Sequence, residues 1–440
     1  MSEIAEVHLW GELVGAVVQT SSDTFARFEY SPRFLTLGLE VAPLTMRLSP
    51  TVYQFPALSR TTFRGLPGLL ADSLPDRFGN TLIDVWLATQ GRAPGSFGPI
   101  ERLCYTGSRG MGALEFQPVK GPRARKSQKL KVATLVELAS HVLQHRQTLT
   151  TSFAPGSTHT GLAELLRVGT SAGGARPKAL IAWNRETHEV HSGQVTAPPG
   201  FSYWLLKFDG VSGAGDHELS DPQGFTRVEY AYSLMARACG IEMAECRLLE
   251  EGPRKHFMTK RFDRTDAGLK LHMQTLGALA HLDYNTPRAN TYERAFQVLR
   301  QLGGAASARE ELYRRCVFNL IARNQDDHVK NISFLMDTQG TWRLAPAYDL
   351  TYSFDPTNRW MAQHQMGVNG KFESFAREDL SALADTASLS KRIAAEIVEQ
   401  VARAVMRWDE FAAKAGAPAA YVEQIKANHR LDLARGITQA

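Results

Sequence analysis

The run Asn324-Gln325-Asp326-Asp327-His328-Val329-Lys330-Asn331 packs acids, an imidazole, a cation and amides into one short segment. Tyr313, Cys316, Val317, Leu320 and Ile321 precede it at helical spacing, and Ile332-Ser333-Phe334-Leu335-Met336 follows with strand character. The polar run is therefore expected to be a loop between a buried helix and a strand. Phosphoryl transfer needs such a set: an acid to take the proton of an attacking hydroxyl, a hard oxygen for Mg²⁺, and polar groups near phosphates. Asp326 and Asn331 stand five residues apart, the spacing of the base and the metal-binding amide in a kinase catalytic loop. His328 and Lys330 lie between them and could touch the phosphates or the acid, and Asp327 is a competing acid. Taken alone, the run could equally be an exposed charged turn.

The sequel gives the run weight. A turn at Asp337-Thr338-Gln339-Gly340 and a second strand, Thr341-Trp342-Arg343-Leu344, predict a hairpin that returns Pro346-Ala347-Tyr348-Asp349-Leu350 towards the loop. Asp349 and Asn331 could then hold Mg²⁺, which takes oxygen ligands and keeps several waters. Upstream, strand-like Leu165-Leu166-Arg167-Val168 leads into Gly169-Thr170-Ser171-Ala172-Gly173-Gly174-Ala175-Arg176-Pro177-Lys178 and then strand-like Ala179 to Trp183. Such small residues at a hairpin tip let backbone N–H groups approach phosphates, although neither G-x-x-x-x-G-K-[ST] nor G-x-G-x-x-G is present. Lys207 closes the strand Tyr203-Trp204-Leu205-Leu206-Lys207, where a buried cation needs an anion: ATP phosphates or Glu229, expected in the first turn of the next helix. A further strand, His256 to Lys260, enters Arg261-Phe262-Asp263-Arg264, a candidate hinge beside an adenine pocket. Phe262 could instead be core, and Arg261, Asp263 and Arg264 a surface ion pair.

Composition bounds what must position these residues. The 440 residues are 43% hydrophobic and 22% charged, the balance of a globular chain of two or three domains. Cys104, Cys239, Cys246 and Cys316 lack C-x-x-C spacing, so neither a zinc ribbon nor a disulfide framework is expected, and a reducing cytoplasm fits. No apolar run suggests a membrane span or a secretory leader. A net charge of +5 permits contact with nucleic acid without demonstrating it. Residues 1–118 read as a small α+β unit, with strands at Val7–Trp10 and Val14–Val18, a turn at Gly11 and a helix from Leu66 to Leu74. Gly107, Gly110 and Gly112 lack the order and the following helix of a nucleotide loop. Residues 119–131, with Arg123, Arg125, Lys126 and Lys129 around Gly121-Pro122, read as a solvated basic linker. Residues 132–263 and 264–440 then form the two halves that meet at the chemistry, the second closing with Ile393, Ile397, Val401 and Val405 at helical spacing.

Taken together, these residues resemble the HipA family of toxin serine/threonine kinases over nearly the whole chain. The likeness includes Val7 to Tyr30, Phe28-Glu29-Tyr30-Ser31-Pro32 and Leu74-Pro75-Asp76 as well as the kinase motifs. It implies an α+β, two-lobed protein-kinase-like fold with an extra amino-terminal α+β subdomain, and a use of ATP and Mg²⁺. It also implies that Asp326 is the base, Asn331 and Asp349 the metal ligands and Lys207 the ATP lysine. His328 and Tyr348 become nucleotide contacts, and Lys260, Phe262 and Asp263 line the adenine side. The loop Ser171, Ala172, Gly173, Gly174 to Lys178 becomes a phosphate loop in which Ser171 is autophosphorylated, with Thr170 as rival acceptor. The sequence departs from the family pattern at Lys260, where a glutamate can stand, and at Arg176-Pro177, where others carry Gln-Glu. Implied partners are a small DNA-binding antitoxin resembling HipB, operator DNA through it, and a substrate such as an aminoacyl-tRNA synthetase or another translation protein. The alternatives are a catalytically silent kinase-like scaffold that binds an antitoxin on DNA, and a small-molecule phosphotransferase.

Overall fold

The fold follows from where apolar residues alternate and where they recur at helical spacing. It is seen in a computed structural model that describes residues 2–122, 127–145, 148–153, 161–169, 176–211 and 223–435. In Ser2–Leu9, every second residue from Ala5 is buried, so one face of this strand covers a core and the other meets solvent. Trp10 and Gly11 both take positive φ, 51° and 86°, the turn that matches strand twist in a tight hairpin. The chain returns along Glu12–Thr20, and the sheet order is Arg27–Tyr30, Glu12–Thr20, Ser2–Leu9, Leu114–Gln117.

A second antiparallel sheet runs in the order Val190–Ser192, Lys178–Asn184, Phe201–Lys207, Arg254–Lys260, Cys246–Glu251. Lys178 lies opposite Lys207 in register, so both side chains stand on one face. Ala179, Ile181, Trp204, Leu206 and Met258 point the other way into a core shared with Phe78, Leu82, Leu135, Val136 and Leu165. The Arg77–Thr89 helix of the amino-terminal region therefore helps to build the core under this sheet. The helical half packs Tyr292–Gln301, Ala306–Ile321, Arg377–Thr386, Lys391–Met406 and Trp408–Ala415 into one large core. Beside it, a small sheet joins His272–Thr275, Ser333–Met336 and Trp342–Leu344. This arrangement is an α+β, two-lobed protein-kinase-like fold with an extra amino-terminal subdomain.

Several local expectations need correction. Leu165 to Val168 is not a strand but part of the Leu162–Val168 helix; a short apolar run reads either way, and here Leu162, Leu165 and Leu166 turn one helical face into the core. Between Leu66 and Leu74 only Gly68–Ala71 is helical. Glu229 sits one turn into its helix, because the helix begins at Phe225 behind Gly224, whose φ is 91°. The basic linker is anchored on its carboxy-terminal side: Leu130 is buried, its N–H donates to Val190, and Lys129 pairs with Glu189. Arg123, Arg125 and Lys126 lie outside the described residues.

The amino-terminal subdomain is pinned to the rest by polar contacts that bury backbone groups. The Trp10 indole donates to the Lys270 carbonyl at 2.8 Å, Asp72 accepts from the Thr275 N–H and hydroxyl, and the Gly68 N–H donates to His281 Nε2 at 3.1 Å. A further junction is ionic. Arg261, Asp263 and Arg264 form a buried cluster in which Arg261 Nη2 stands 2.6 Å from the Asp263 carboxylate. The Gly112 N–H donates to the same carboxylate, and both arginines donate to the Gly110 carbonyl. The surface ion pair expected of these residues is thus an interior one, and the glycine turn at Gly110 and Gly112 is its acceptor and donor rather than a nucleotide loop.

Candidate functional site

The cleft between the sheet and the helical half is organised by Lys207. Its ammonium donates to Glu229 Oε1 at 2.6 Å and to Asp349 Oδ1 at 2.5 Å. Lys207 and Glu229 are buried, at 8% and 1% exposure, whereas the Asp349 side chain keeps 29% of its surface. Burial works against the Lys207 charge, but Asp349 and Glu229 more than offset it and push its pKa up. Burial likewise opposes the charge on Asp349, and Lys207 holds that carboxyl well below the carboxylate range. Glu229 moves the other way: its burial is the larger effect and raises its pKa against the pull of Lys207. The backbone brings these groups together from a strand end, a helix and the segment after the hairpin, where Asp349 takes a positive φ of 55°. A non-glycine residue holds that conformation only where its surroundings specify it.

The loop after the Ala306–Ile321 helix forms the facing wall. Asn331 Nδ2 donates to the Asp326 carbonyl at 2.9 Å and the Asn331 N–H to the His328 carbonyl at 2.8 Å, which ties the two ends of the motif. Asp326 Oδ1 lies 3.8 Å from His328 Nε2. The cleft walls crowd this carboxyl and raise its pKa, a shift opposed by His328 and reinforced by Asp349. About half of its side-chain surface, 49%, still reaches solvent. Tyr348 locks the loop to the Asp349 segment, donating to the Lys330 carbonyl at 2.6 Å with its hydroxyl 2.5 Å from Ser333 Oγ. Lys330 itself lies over the Tyr284 ring, 5.2 Å from its centroid.

Asp327, the competing acid, is differently placed. It is 2% exposed and accepts from Tyr292 Oη, His364 Nδ1 and the Gln365 N–H at 2.8–2.9 Å. Asn319 in turn donates to Tyr292 and accepts from Asn324. A carboxylate so fully engaged stiffens the loop and has no face open to a substrate. The polar spacing of the motif gave no sign of this division, because the partners come from two distant segments.

The adenine side is less uniform. Phe262 is only partly buried, and its ring lies 5.5 Å from that of Tyr348, so it is not the core residue that was the alternative. Lys260 turns to Asp266, 2.9 Å away. Asp263 is consumed by the junction described above, with no exposed surface. Lys178 is buried at 3% and lies 3.3 Å from Asp76, a residue of the amino-terminal subdomain. Thr170, Ser171, Ala172, Gly173 and Gly174 lie outside the described residues.

The donor set fits Mg²⁺ and a nucleotide. Asn331 spends its amide nitrogen on Asp326, which leaves its oxygen available as a hard ligand, and the Asp349 carboxylate is a second. Among the described residues no three His, Cys, Asp or Glu side chains form a metal cage, and Mg²⁺ prefers one or two protein oxygens with waters and phosphates. Lys207 and Lys178 are buried cations on one sheet face.

Fold and cleft together define a protein-kinase-like chain, and comparison with known proteins places it more narrowly. The HipA-like C-terminal domain matches residues 170–408 and the HipA N-terminal domain matches residues 5–117. The chain belongs to the HipA family. A protein named putative kinase Y4mE, of Sinorhizobium fredii strain NGR234, is 28% identical over 250 residues, 51% of this chain and 57% of that protein. The serine/threonine-protein kinase toxin HipA of Shewanella oneidensis is 24% identical over 199 residues, 40% of this chain and 46% of that protein. The matched segments thus span only about half the length of these relatives. Among solved structures, a chain of the Shewanella oneidensis MR-1 complex of HipA, HipB and operator DNA, a toxin–antitoxin system, aligns with a TM-score of 0.65 at 19% identity. That alignment covers 98% of this chain and 96% of the other. No helix among the described residues is long and apolar enough to cross a membrane.

Proposed function

We propose that this protein is an ATP- and Mg²⁺-dependent serine/threonine protein kinase, the toxin of a HipBA-like toxin–antitoxin module. The observation that carries the reading is the pairing of one buried lysine, Lys207, with both Glu229 and Asp349 across the cleft from Asp326 and Asn331. A lysine oriented by a helix carboxylate and a metal-binding Asp at its side is the arrangement phosphoryl transfer uses.

ATP supplies the transferable phosphoryl group, and Mg²⁺ the charge that neutralises it. Lys207 and Lys178 bind phosphate oxygens, while Asp349 and the Asn331 amide oxygen hold the metal. Asp326 accepts the proton of the substrate hydroxyl, and its raised pKa brings it closer to a useful base than an ordinary surface carboxylate. His328, and Lys330 less directly, shape the electrostatics beside it. Phe262 and Tyr348 supply aromatic surface for the base of the nucleotide.

Autophosphorylation on Ser171, with Thr170 as the rival acceptor, would bring a charge of about −2 to a loop meant for ATP phosphates and favour its opening. The partners that fit are a HipB-like antitoxin and, through it, operator DNA. A translation protein, such as an aminoacyl-tRNA synthetase in the cytoplasm, is the substrate class.

The test is phosphate incorporation by dephosphorylated protein in MgATP, mapped by mass spectrometry and compared with Asp326→Asn. Transfer by the parent and not by the variant supports the kinase with Asp326 as its base. ATP binding without transfer to itself or to cell extract would make it a scaffold, and transfer only to small molecules a metabolite phosphotransferase.

A further inference from the structure

Lys178 and Lys207 stand directly opposite each other on neighbouring antiparallel strands, both buried and on one face. Like charges so placed repel at close range, and each burial costs free energy unless an anion answers it. Lys207 is answered from within the kinase core by Glu229 and Asp349. Lys178 is answered first from outside it, by Asp76, with Asp349 a lesser influence. Asp76 belongs to the amino-terminal subdomain, in the segment Leu74-Pro75-Asp76, and its carboxylate is as buried as its partner, with side-chain exposures of 5% and 4%.

The two oxygens of Asp76 are divided between two tasks. Oδ1 caps the Arg77–Thr89 helix by accepting from the Gly79 N–H at 2.5 Å. Oδ2 lies 3.3 Å from the Lys178 ammonium. A helix cap needs only a polar oxygen, and asparagine serves as well as aspartate. The charge on Oδ2 therefore has a purpose that the cap does not explain. The burial that raises the Asp76 pKa is opposed chiefly by Lys178, and the burial that lowers the Lys178 pKa is opposed chiefly by Asp76. Each sustains the other.

We infer that Asp76 is a positioning residue of the nucleotide site, which holds Lys178 charged and aimed into the cleft as Glu229 does Lys207, so that the amino-terminal subdomain completes the phosphate-binding pair. The inference rests on the kinase reading above, with Lys178 as a phosphate contact. An ammonium has three donors, so one carboxylate can orient it and leave others for phosphate oxygens. Without Asp76, Lys178 loses its charge or turns to Asp349, in competition with Lys207.

The experiment is titration of the full-length, dephosphorylated chain with Mg²⁺ and the fluorescent nucleotide N-methylanthraniloyl-ATP, with melting temperature recorded for each protein and, where phosphoryl transfer is measurable, KM and kcat. Asp76→Asn, which keeps the cap, is expected to weaken binding about tenfold and to raise KM for ATP more than it lowers kcat. Asp76→Glu should restore most of the loss. Lys178→Met should weaken binding by a similar factor. The double variant Asp76→Asn/Lys178→Met, which leaves no lone buried charge, should bind no worse than Lys178→Met alone.

Binding by Asp76→Asn equal to the parent, or losses that add in the double variant, would overturn the role of Asp76 while leaving the kinase reading in place. Should Asp76→Asn fail to fold, the comparison of the double variant with Lys178→Met still decides the matter. A folded parent that binds no nucleotide would overturn both.

Discussion

Asp263 at the subdomain junction and Asp349 in the cleft are both carboxylates held ionised by neighbouring cations against the cost of burial, and they differ in what each leaves free. Asp263 meets two guanidinium groups and a backbone N–H, with no surface left exposed. Asp349 meets Lys207 and keeps 29% of its side chain open to the cleft. The junction is a closed network, in which the charge is spent on holding two parts of the chain together. The cleft is an open one: Asp349 and Glu229 flank Lys207 and Asp326 feels the charge of Asp349, an excess of acid that a divalent cation would balance. The two neighbours Asp326 and Asp327 repeat the contrast within one loop, the first half exposed and the second fully bonded.

The sharpest way to test this contrast is to remove one carboxylate charge from each. Asp326→Asn is expected to lower phosphoryl transfer about thousandfold, with nucleotide binding and melting temperature close to the parent. Rate measurements under saturating MgATP beside a thermal melt check both. Asp263→Asn should do the reverse, with a loss of about 3–5 kcal/mol of stability in denaturant unfolding and nucleotide affinity of the folded protein within about twofold of the parent. A large fall in affinity there would mean that the junction and the cleft are one network.

Acid should open the junction before the cleft. His272 donates from Nε2 to the Val41 carbonyl of the amino-terminal subdomain, and its burial pushes its pKa down to about 4. Because the folded pKa lies below the unfolded one, the unfolded chain binds the proton first. The stability in question is whole above about pH 6.5 and is lost as pH falls towards 4, a change of about 3 kcal/mol for this group. Stability measured from pH 7 to 4 should show that slope, to which His281 and His429, also pushed down to about 4 by burial, contribute, and His272→Gln should make it shallower. The Asp263 pKa is held low by Arg261 and Arg264 against its burial. Its contribution persists above about pH 4 and fades only under stronger acid. The smallest effect belongs to Lys260→Ala: its pair with the largely exposed Asp266 should be worth less than about 1 kcal/mol in stability.

Much of the site was legible in the order of residues along the chain. Spacing alone brought Asp326 and Asn331 onto one loop, the turn at Asp337–Gly340 returned Asp349 to it, and a lysine closing an apolar strand asked for a carboxylate that the next helix carries. These are local relations, set by the period of a helix, the length of a hairpin and the cost of burying a charge. What the sequence could not decide was the fate of charges whose partners lie far along the chain. Arg261, Asp263 and Arg264 look like surface residues until Gly110 and Gly112 close over them, and Asp327 looks like a base until Tyr292 and His364 take its oxygens. Leu165 to Val168 has too few residues to show a period and became a helix because of the core it faces. Asp76 stood out in the sequence only as part of Leu74-Pro75-Asp76, since the lysine it answers is about a hundred residues away. Local periodicity determined the elements and the motif; desolvation, which depends on what folds over a group, decided which charges hold the protein together and which remain available for chemistry.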